Sequence, residues 1–269
     1  MGETTAILGA GVMGETLLSG LLRAGRPAGD VTITERRADR AAELTTRYGV
    51  RVLGNAEAAA QADTVVLVVK PQDIGGLLLE IREAISPTTL VVSVAAGITT
   101  TFVEQRLPDG VPVVRVMPNT PALVDQGMAA ISAGRHCDAE HLARVERLLS
   151  ATGKVLQVPE YQQDAVTAIS GSGPAYIFYV VEAMIEAGVL LGLSRATATE
   201  LVVQTLYGAA TMLRETGSHP TVLREQVSSP AGTTIAALRQ LDDHKVRAAF
   251  LTAMEAARDR SKELSSGSL

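Results

Sequence analysis

Thr5-Ala6-Ile7-Leu8-Gly9-Ala10-Gly11-Val12-Met13-Gly14 is the stretch that decides the fold. A β-branched and apolar run enters a turn carrying three glycines, and an apolar helical pattern follows over 12–24. Gly-x-Gly-x-x-Gly alone is a weak signal, but between a strand and a helix it becomes informative. Gly9 permits the tight turn, Gly11 admits a pyrophosphate to the backbone, and Gly14 lets helix and strand pack closely. Free N–H groups at the helix start, those of Val12 and Met13 included, favour the phosphate charge. The turn is expected to hold a dinucleotide.

Outward from this turn, short β-branched runs alternate with helical patterns. Strands are expected at 31–34, 64–69, 90–94 and 113–117, with a helix over 38–48. Thr64-Val65-Val66-Leu67-Val68-Val69 is apolar almost without interruption, as suits a strand buried on both faces. Strands separated by helices imply parallel pairing with right-handed crossovers. The expected fold is α/β: a Rossmann-type doubly wound parallel sheet over residues 1–159, then an all-helical domain over 160–269.

Composition narrows the function classes. The chain has 269 residues, 46% hydrophobic and 20% charged, which marks it as globular rather than disordered. A net charge of −5 argues against a nucleic-acid partner, whose phosphates require clustered Lys and Arg. The lone Cys137 excludes an intrachain disulfide. His136, Asp138 and His141 lie beside it, yet the spacing offers too few soft ligands for zinc, so no metal is expected and a surface turn is the simpler reading. No basic stretch precedes a long apolar run at the N-terminus, and no segment of about 20 uninterrupted apolar residues occurs. A cytoplasmic protein without a membrane span is the expectation.

The second strand ends at Thr34-Glu35-Arg36-Arg37. An acid there suits the ribose 2′-hydroxyl of NAD, whereas arginines suit the 2′-phosphate of NADP. Both chemistries stand side by side; two guanidinium groups against one carboxylate favour NADPH, with Glu35 turned to solvent and NADH left as the alternative. Val69-Lys70-Pro71, Ala95-Ala96-Gly97 and Asn119 fall at the carboxyl ends of strands, where such sheets bind ligands. With Asn55, they complete the expected cofactor set.

Over 175–192 only Glu182 and Glu186 are charged. A helix apolar nearly all round must be covered on most sides, and so few helices provide a thin core. This half is therefore expected to pack against a second copy. Further on, Ser228-Ser229-Pro230-Ala231-Gly232-Thr233-Thr234-Ile235 reads as a capped helix start, with Ser229 as N-cap and Pro230 as first helical residue. The free amides of Ala231, Gly232 and Thr233 would cradle a small carboxylate.

Val227–Ile235, Ala168-Ile169-Ser170-Gly171-Ser172-Gly173-Pro174-Ala175-Tyr176, Arg115-Val116-Met117-Pro118-Asn119-Thr120-Pro121 and Val69-Lys70-Pro71 together resemble the pyrroline-5-carboxylate reductase family, nearly end to end. The resemblance implies NAD(P)H-dependent reduction of 1-pyrroline-5-carboxylate to L-proline, the last step of proline biosynthesis. It also implies a helical dimerisation domain, dimers often assembled further into decamers, and active sites completed by two subunits. The substrate would lie on Gly232, Thr233 and Thr234, with the Thr234 hydroxyl as catalytic partner of the imine nitrogen. Glu160 matches a family residue that contacts the product ring. The chain departs from some relatives at Gly217 and Gln226, so neither is placed in the site. A β-hydroxyacid dehydrogenase shares the two-domain plan but depends on a lysine near the domain junction, and no lysine lies between Lys154 and Lys245. A non-enzymatic NADP sensor would have no reason to keep the second anion site.

Overall fold

The computed structural model describes residues 3–265. Strand β1 (Thr5–Leu8) is buried along its whole length, as are β2 (Val31–Thr34), β4 (Thr64–Leu67) and β5 (Leu90–Ser93). With β3 (Arg51–Val52), β6 (Val113–Met117), β7 (Gly127–Ala133) and β8 (Gly153–Gln157), they form one eight-stranded sheet. Its order is β3-β2-β1-β4-β5-β6-β7-β8, so the first six strands follow the dinucleotide-binding topology.

The helices of this unit are α1 (Val12–Arg23), α2 (Ala38–Tyr48), α3 (Asn55–Ala60), α4 (Pro71–Ile81), α5 (Thr100–Glu104), α6 (Ala139–Leu149) and α7 (Gln163–Val166). Successive strand residues point to opposite faces. Ala6, Leu8, Val65, Leu67 and Val91 pack with Ile74, Leu78 and Ile81 of α4 on one side. Ile7, Val66 and Val92 pack with Leu17, Leu18 and Leu21 of α1 and Val145 of α6 on the other. This is the doubly wound arrangement expected from the alternation.

Two sheet features differ from expectation. Strands β3, β7 and β8 carry too little apolar signal to read in advance, β8 being half exposed. Pairing between β6 and β7 is antiparallel. A parallel return needs a crossover of about a dozen residues or more. The short 118–126 connection instead makes a tight turn at Thr120–Val124, with Asp125 at φ 58°.

The remaining helices are α8 (Gly173–Leu190), α9 (Arg195–Thr216), α10 (Pro220–Gln226), α11 (Thr233–Asp243) and α12 (Val246–Ser265). Contacts divide the chain into a first unit running to Ser172 and resuming at Ala257, and a helical unit over Gly173–Ala256. Within the helical unit α8 and α9 pack together closely enough that a Cβ on Gly188 would lie 2.8 Å from Ala198 Cβ. No residue of α8 is buried, and Phe178, Tyr179, Leu190 and Leu191 are 66–87% exposed. Within the helical unit, the described residues do not supply the cover expected for this apolar helix. Residues 160–190 are also long and apolar enough, by length and composition, to cross a membrane. The stretch is broken by a π-helical turn at Thr167–Gly171, and the apolar surface continues onto α9 at Leu201, Val203 and Tyr207. A surface shared between helices suits a second set of helices better than a single membrane span.

Candidate active site

The glycine turn joins β1 to α1 as its sequence requires. Gly9 has φ 109°, and a Cβ there would run into Val68 O; a Cβ on Gly14 would run into Gly9 O. Both glycines are fixed by the chain's own packing. Gly11 is different: nothing lies within 4 Å of its absent Cβ, so no internal contact demands glycine. The open space beside Gly11 fits a phosphate that approaches the backbone. Gly11 also caps α1 without a side-chain bond, leaving the first-turn amides to a ligand. Val12 beside them is 72% exposed.

The end of β2 is tied to the turn, because Gly9 N donates to Thr34 Oγ1 (3.1 Å) and Ala10 N to Thr34 O (3.0 Å). Arg36 and Arg37 are exposed, as a 2′-phosphate clamp needs. Glu35 corrects the expectation that it turns to solvent: its side chain is only 11% exposed. Its Oε1 accepts from Arg37 N at 3.0 Å and faces Arg37 Nε at 3.6 Å, which holds the carboxylate at the strand end. Arg40, the next arginine along, is bound by Glu15 and Glu43, which pull its guanidinium above the usual range.

Register places the other expected cofactor residues on the same edge. Leu8 pairs with Leu67 and Leu67 with Ser93, so Gly9, Val69 and residues 95–97 all emerge from carboxyl ends. Lys70 is exposed at the N-cap of α4, with Pro71 at the first helical position. Ala95 is buried and Ala96 half-buried. Asn55 begins α3 and donates to Glu80 Oε2 (2.9 Å). The Asn119 amide ties three segments together: Oδ1 accepts from Met128 N (2.8 Å), and Nδ2 reaches Ser170 O and Oγ, both at 3.3 Å. Ser170 lies in the π-helical turn, a geometry common at functional sites.

Glu160 grips the start of α5. Its carboxylate accepts from Thr100 N (2.7 Å) and Thr100 Oγ1 (2.6 Å) and pairs with Arg115 Nη1 (3.4 Å). Arg115 is 4% exposed, a buried cation that this carboxylate balances. Its signal was present as a charge inside an apolar strand. Gln163 (0% exposed) was missed as well; its Nε2 bonds Ser132 Oγ at 2.8 Å.

In the helical unit the helix start expected to bind an anion is shifted. Ser229 is not the N-cap: α11 starts at Thr233 with Gly232 as cap. Gly232 N donates to Ser229 O (3.0 Å), and Ala231 has φ 58°. Residues 229–232 thus close a turn of type II character, with proline second and a positive φ third. The amide of Gly232 is engaged in that turn, and the open first-turn amides belong to Thr233, Thr234 and Ile235. Thr233 is exposed and Thr234 half-buried.

Asp138 and His141 form the capping box of α6, and Cys137 is half-buried with Sγ donating to Val113 O at 3.1 Å. That cluster is accounted for by local structure. Burial pushes the Cys137 thiol pKa up.

A sheet whose first six strands take this order, with open space beside Gly11 at the first βα turn, has the architecture of a dinucleotide-binding protein. A model described as NADP oxidoreductase, coenzyme F420-dependent, matches residues 4–97, and one described as pyrroline-5-carboxylate reductase dimerisation matches residues 160–264. The pyrroline-5-carboxylate reductase of Corynebacterium melassecola is 51% identical over 97% of this chain and 98% of its own. A solved pyrroline-5-carboxylate reductase from Coxiella burnetii superposes with a TM-score of 0.93 at 38% identity, covering 98% of both chains. One from Plasmodium falciparum with NADP bound gives 0.88 at 28% identity, again over 98% of both. The chain belongs to the pyrroline-5-carboxylate reductase family.

Proposed function

We propose that this protein reduces 1-pyrroline-5-carboxylate to L-proline with NAD(P)H, completing proline biosynthesis in the cytoplasm. The observation that carries the reading is the end-to-end relationship, at 51% identity, to an enzyme of that name. The opening at Gly11 supports the cofactor half and the exposed start of α11 the substrate half.

When bound, NAD(P)H would supply the hydride that the C=N carbon accepts. Gly9, Gly11 and Gly14, with the amides of Val12 and Met13, hold the pyrophosphate. Arg36 and Arg37 take the 2′-phosphate and make NADPH the preferred form. Val69, Lys70, Pro71, Ala95, Ala96 and Gly97 wall the nicotinamide half, Asn119 braces it through the bonds described above, and Asn55 joins the residues that bind the cofactor. The substrate carboxylate rests on the amides of Thr233 and Thr234, and Thr234 Oγ1 is the partner of the ring nitrogen. Thr234 need not be a strong acid, because the imine is protonated in solution before the hydride arrives. Gly232 contributes the turn that aims these amides, and Glu160 holds the α5 start beside the substrate. The protein acts as a homodimer, its helical unit covered by a second copy that supplies the α11 anchor; pairs assemble further into decamers.

The test is nicotinamide oxidation with 1-pyrroline-5-carboxylate, alongside 2-keto acids and, with NADP, 3-hydroxy acids. Oxidation with the imine alone is expected; none with the imine overturns the reading.

A further inference from the structure

The last turn of α12 lies against the loop that follows β5. Gly97 has φ 75°, and a Cβ there would sit 3.3 Å from Leu264 Cβ and 3.4 Å from Leu264 C. The space beside Gly97 is therefore filled by Leu264, an explanation for this glycine that differs from close approach of a ligand. The same turn is anchored from below. Ser261, 5% exposed, donates from Oγ to Asp164 Oδ1 at 2.7 Å, and Ser265 Oγ reaches the same oxygen at 3.3 Å. Ser265 Oγ also lies 2.9 Å from Ser261 O. One carboxylate oxygen on α7 thus gathers two hydroxyls one helical turn apart, and Leu264 between them is pressed on the loop.

That loop emerges beside Gly9 and Val69 on the carboxyl edge of the sheet. Ala95 and Gly97 are buried while Ala96 is half-buried, so the loop offers backbone and one methyl group rather than long side chains. Such a wall has no side chain of its own to set its position. We infer that Asp164 and Leu264 are positioning residues for the nicotinamide: the α12 turn clamps residues 95–97 so that their backbone presents a fixed wall to the cofactor. The inference rests on the proposed cofactor site. Because a displacement of about 1 Å can cost on the order of a hundredfold in rate, a loop held by a clamp matters beyond stability.

The test compares Leu264→Ala and Asp164→Ala with the conservative variants Leu264→Met and Asp164→Asn, the last keeping an acceptor oxygen. NADPH binding is followed by cofactor fluorescence, and amide hydrogen exchange is followed at residues 96–98. Roughly a three- to tenfold rise in NADPH Kd is expected for both alanine variants, with faster exchange at 96–98. The conservative variants should restore both readouts. Unchanged Kd in both alanine variants overturns the inference, as does tighter binding in Leu264→Ala, which would make Leu264 an obstruction. Wild-type protein that binds NADPH but leaves the imine unreduced would overturn the proposed reaction and not the clamp.

Discussion

Gly232 donates its amide to the carbonyl of Ser229 at 3.0 Å, and this single bond decides where α11 begins and which of its amides stay open. Had the helix begun at Pro230, the free amides would have been those of Ala231, Gly232 and Thr233. The turn instead delays the helix to Thr233 and puts the hydroxyl of Thr234 among the open amides. Thr234→Ala is therefore expected to lower turnover about a hundredfold, the usual loss for one transition-state hydrogen bond. NADPH affinity should hardly move, and Thr234→Ser should recover most of the rate. Steady-state kinetics with saturating cofactor checks this, and near-wild-type turnover in the alanine variant would exclude the role.

The turn also holds Ala231 at φ 58°, a conformation costing an L-residue about 1–2 kcal/mol. Ala231→Gly removes that strain and adds unfolded-chain entropy worth about 0.5–1 kcal/mol against it. The expected net effect is a stabilisation of roughly 0.5–1 kcal/mol, read as a higher midpoint in denaturant unfolding. A lower midpoint would mean that Ala231 is not strained.

In the proposed reading, cofactor choice turns on the end of β2. Arg40 is bound to Glu15 and Glu43, which leaves the exposed Arg36 and Arg37 as the expected partners of a 2′-phosphate. A lost hydrogen bond to a charged group costs about 1.5–3 kcal/mol, and tenfold corresponds to about 1.4. The double variant Arg36→Ala/Arg37→Ala should thus raise the KM for NADPH at least about tenfold while that for NADH stays within about threefold. Equal losses with both cofactors would show that the arginines do not read the phosphate.

How much of this could be read from the chain depended on whether the signal was local. The glycine turn, the buried strands and the apolar α8 are runs of neighbouring residues, and each was legible. Strand β3 spans two residues and β8 is half exposed, so periodicity had nothing to register. Ser229 was misplaced as a cap because Ser-Pro is a good helix start in isolation; the positive φ at Ala231 that overrides it leaves no mark in an alanine. Glu160 was visible, but its partners lie 45 and 60 positions away, and only folding brings Arg115 and Thr100 to it.

Those partners set a prediction of their own. Removing one member of a fully buried ion pair costs about 3–5 kcal/mol, and the 26% exposure of the Glu160 side chain lowers that figure. Glu160→Ala is expected to destabilise by about 2 kcal/mol, read in denaturant unfolding, because Arg115 is left buried without its carboxylate. An unchanged midpoint would detach Glu160 from the core and leave it a substrate contact alone.

Acid sensitivity should centre on Asp63. Its Oδ2 accepts from Thr4 N and Thr4 Oγ1, both at 2.8 Å, and these bonds, the backbone one foremost, hold the carboxyl below its ordinary pKa. A depressed folded value means that the ionised carboxylate stabilises the native state above the unfolded pKa of about 3.9. That contribution fades as pH falls through the folded value. Asp63→Asn lacks the charge at every pH, so its unfolding midpoint should lie below wild type at pH 6 and converge on it as acid is added below about pH 4. The carboxylate is exposed, so the gap should be modest and should shrink with added salt. A gap that persists unchanged into acid would mean that lost packing at the β4 entry, and not the charge, is what the variant reports.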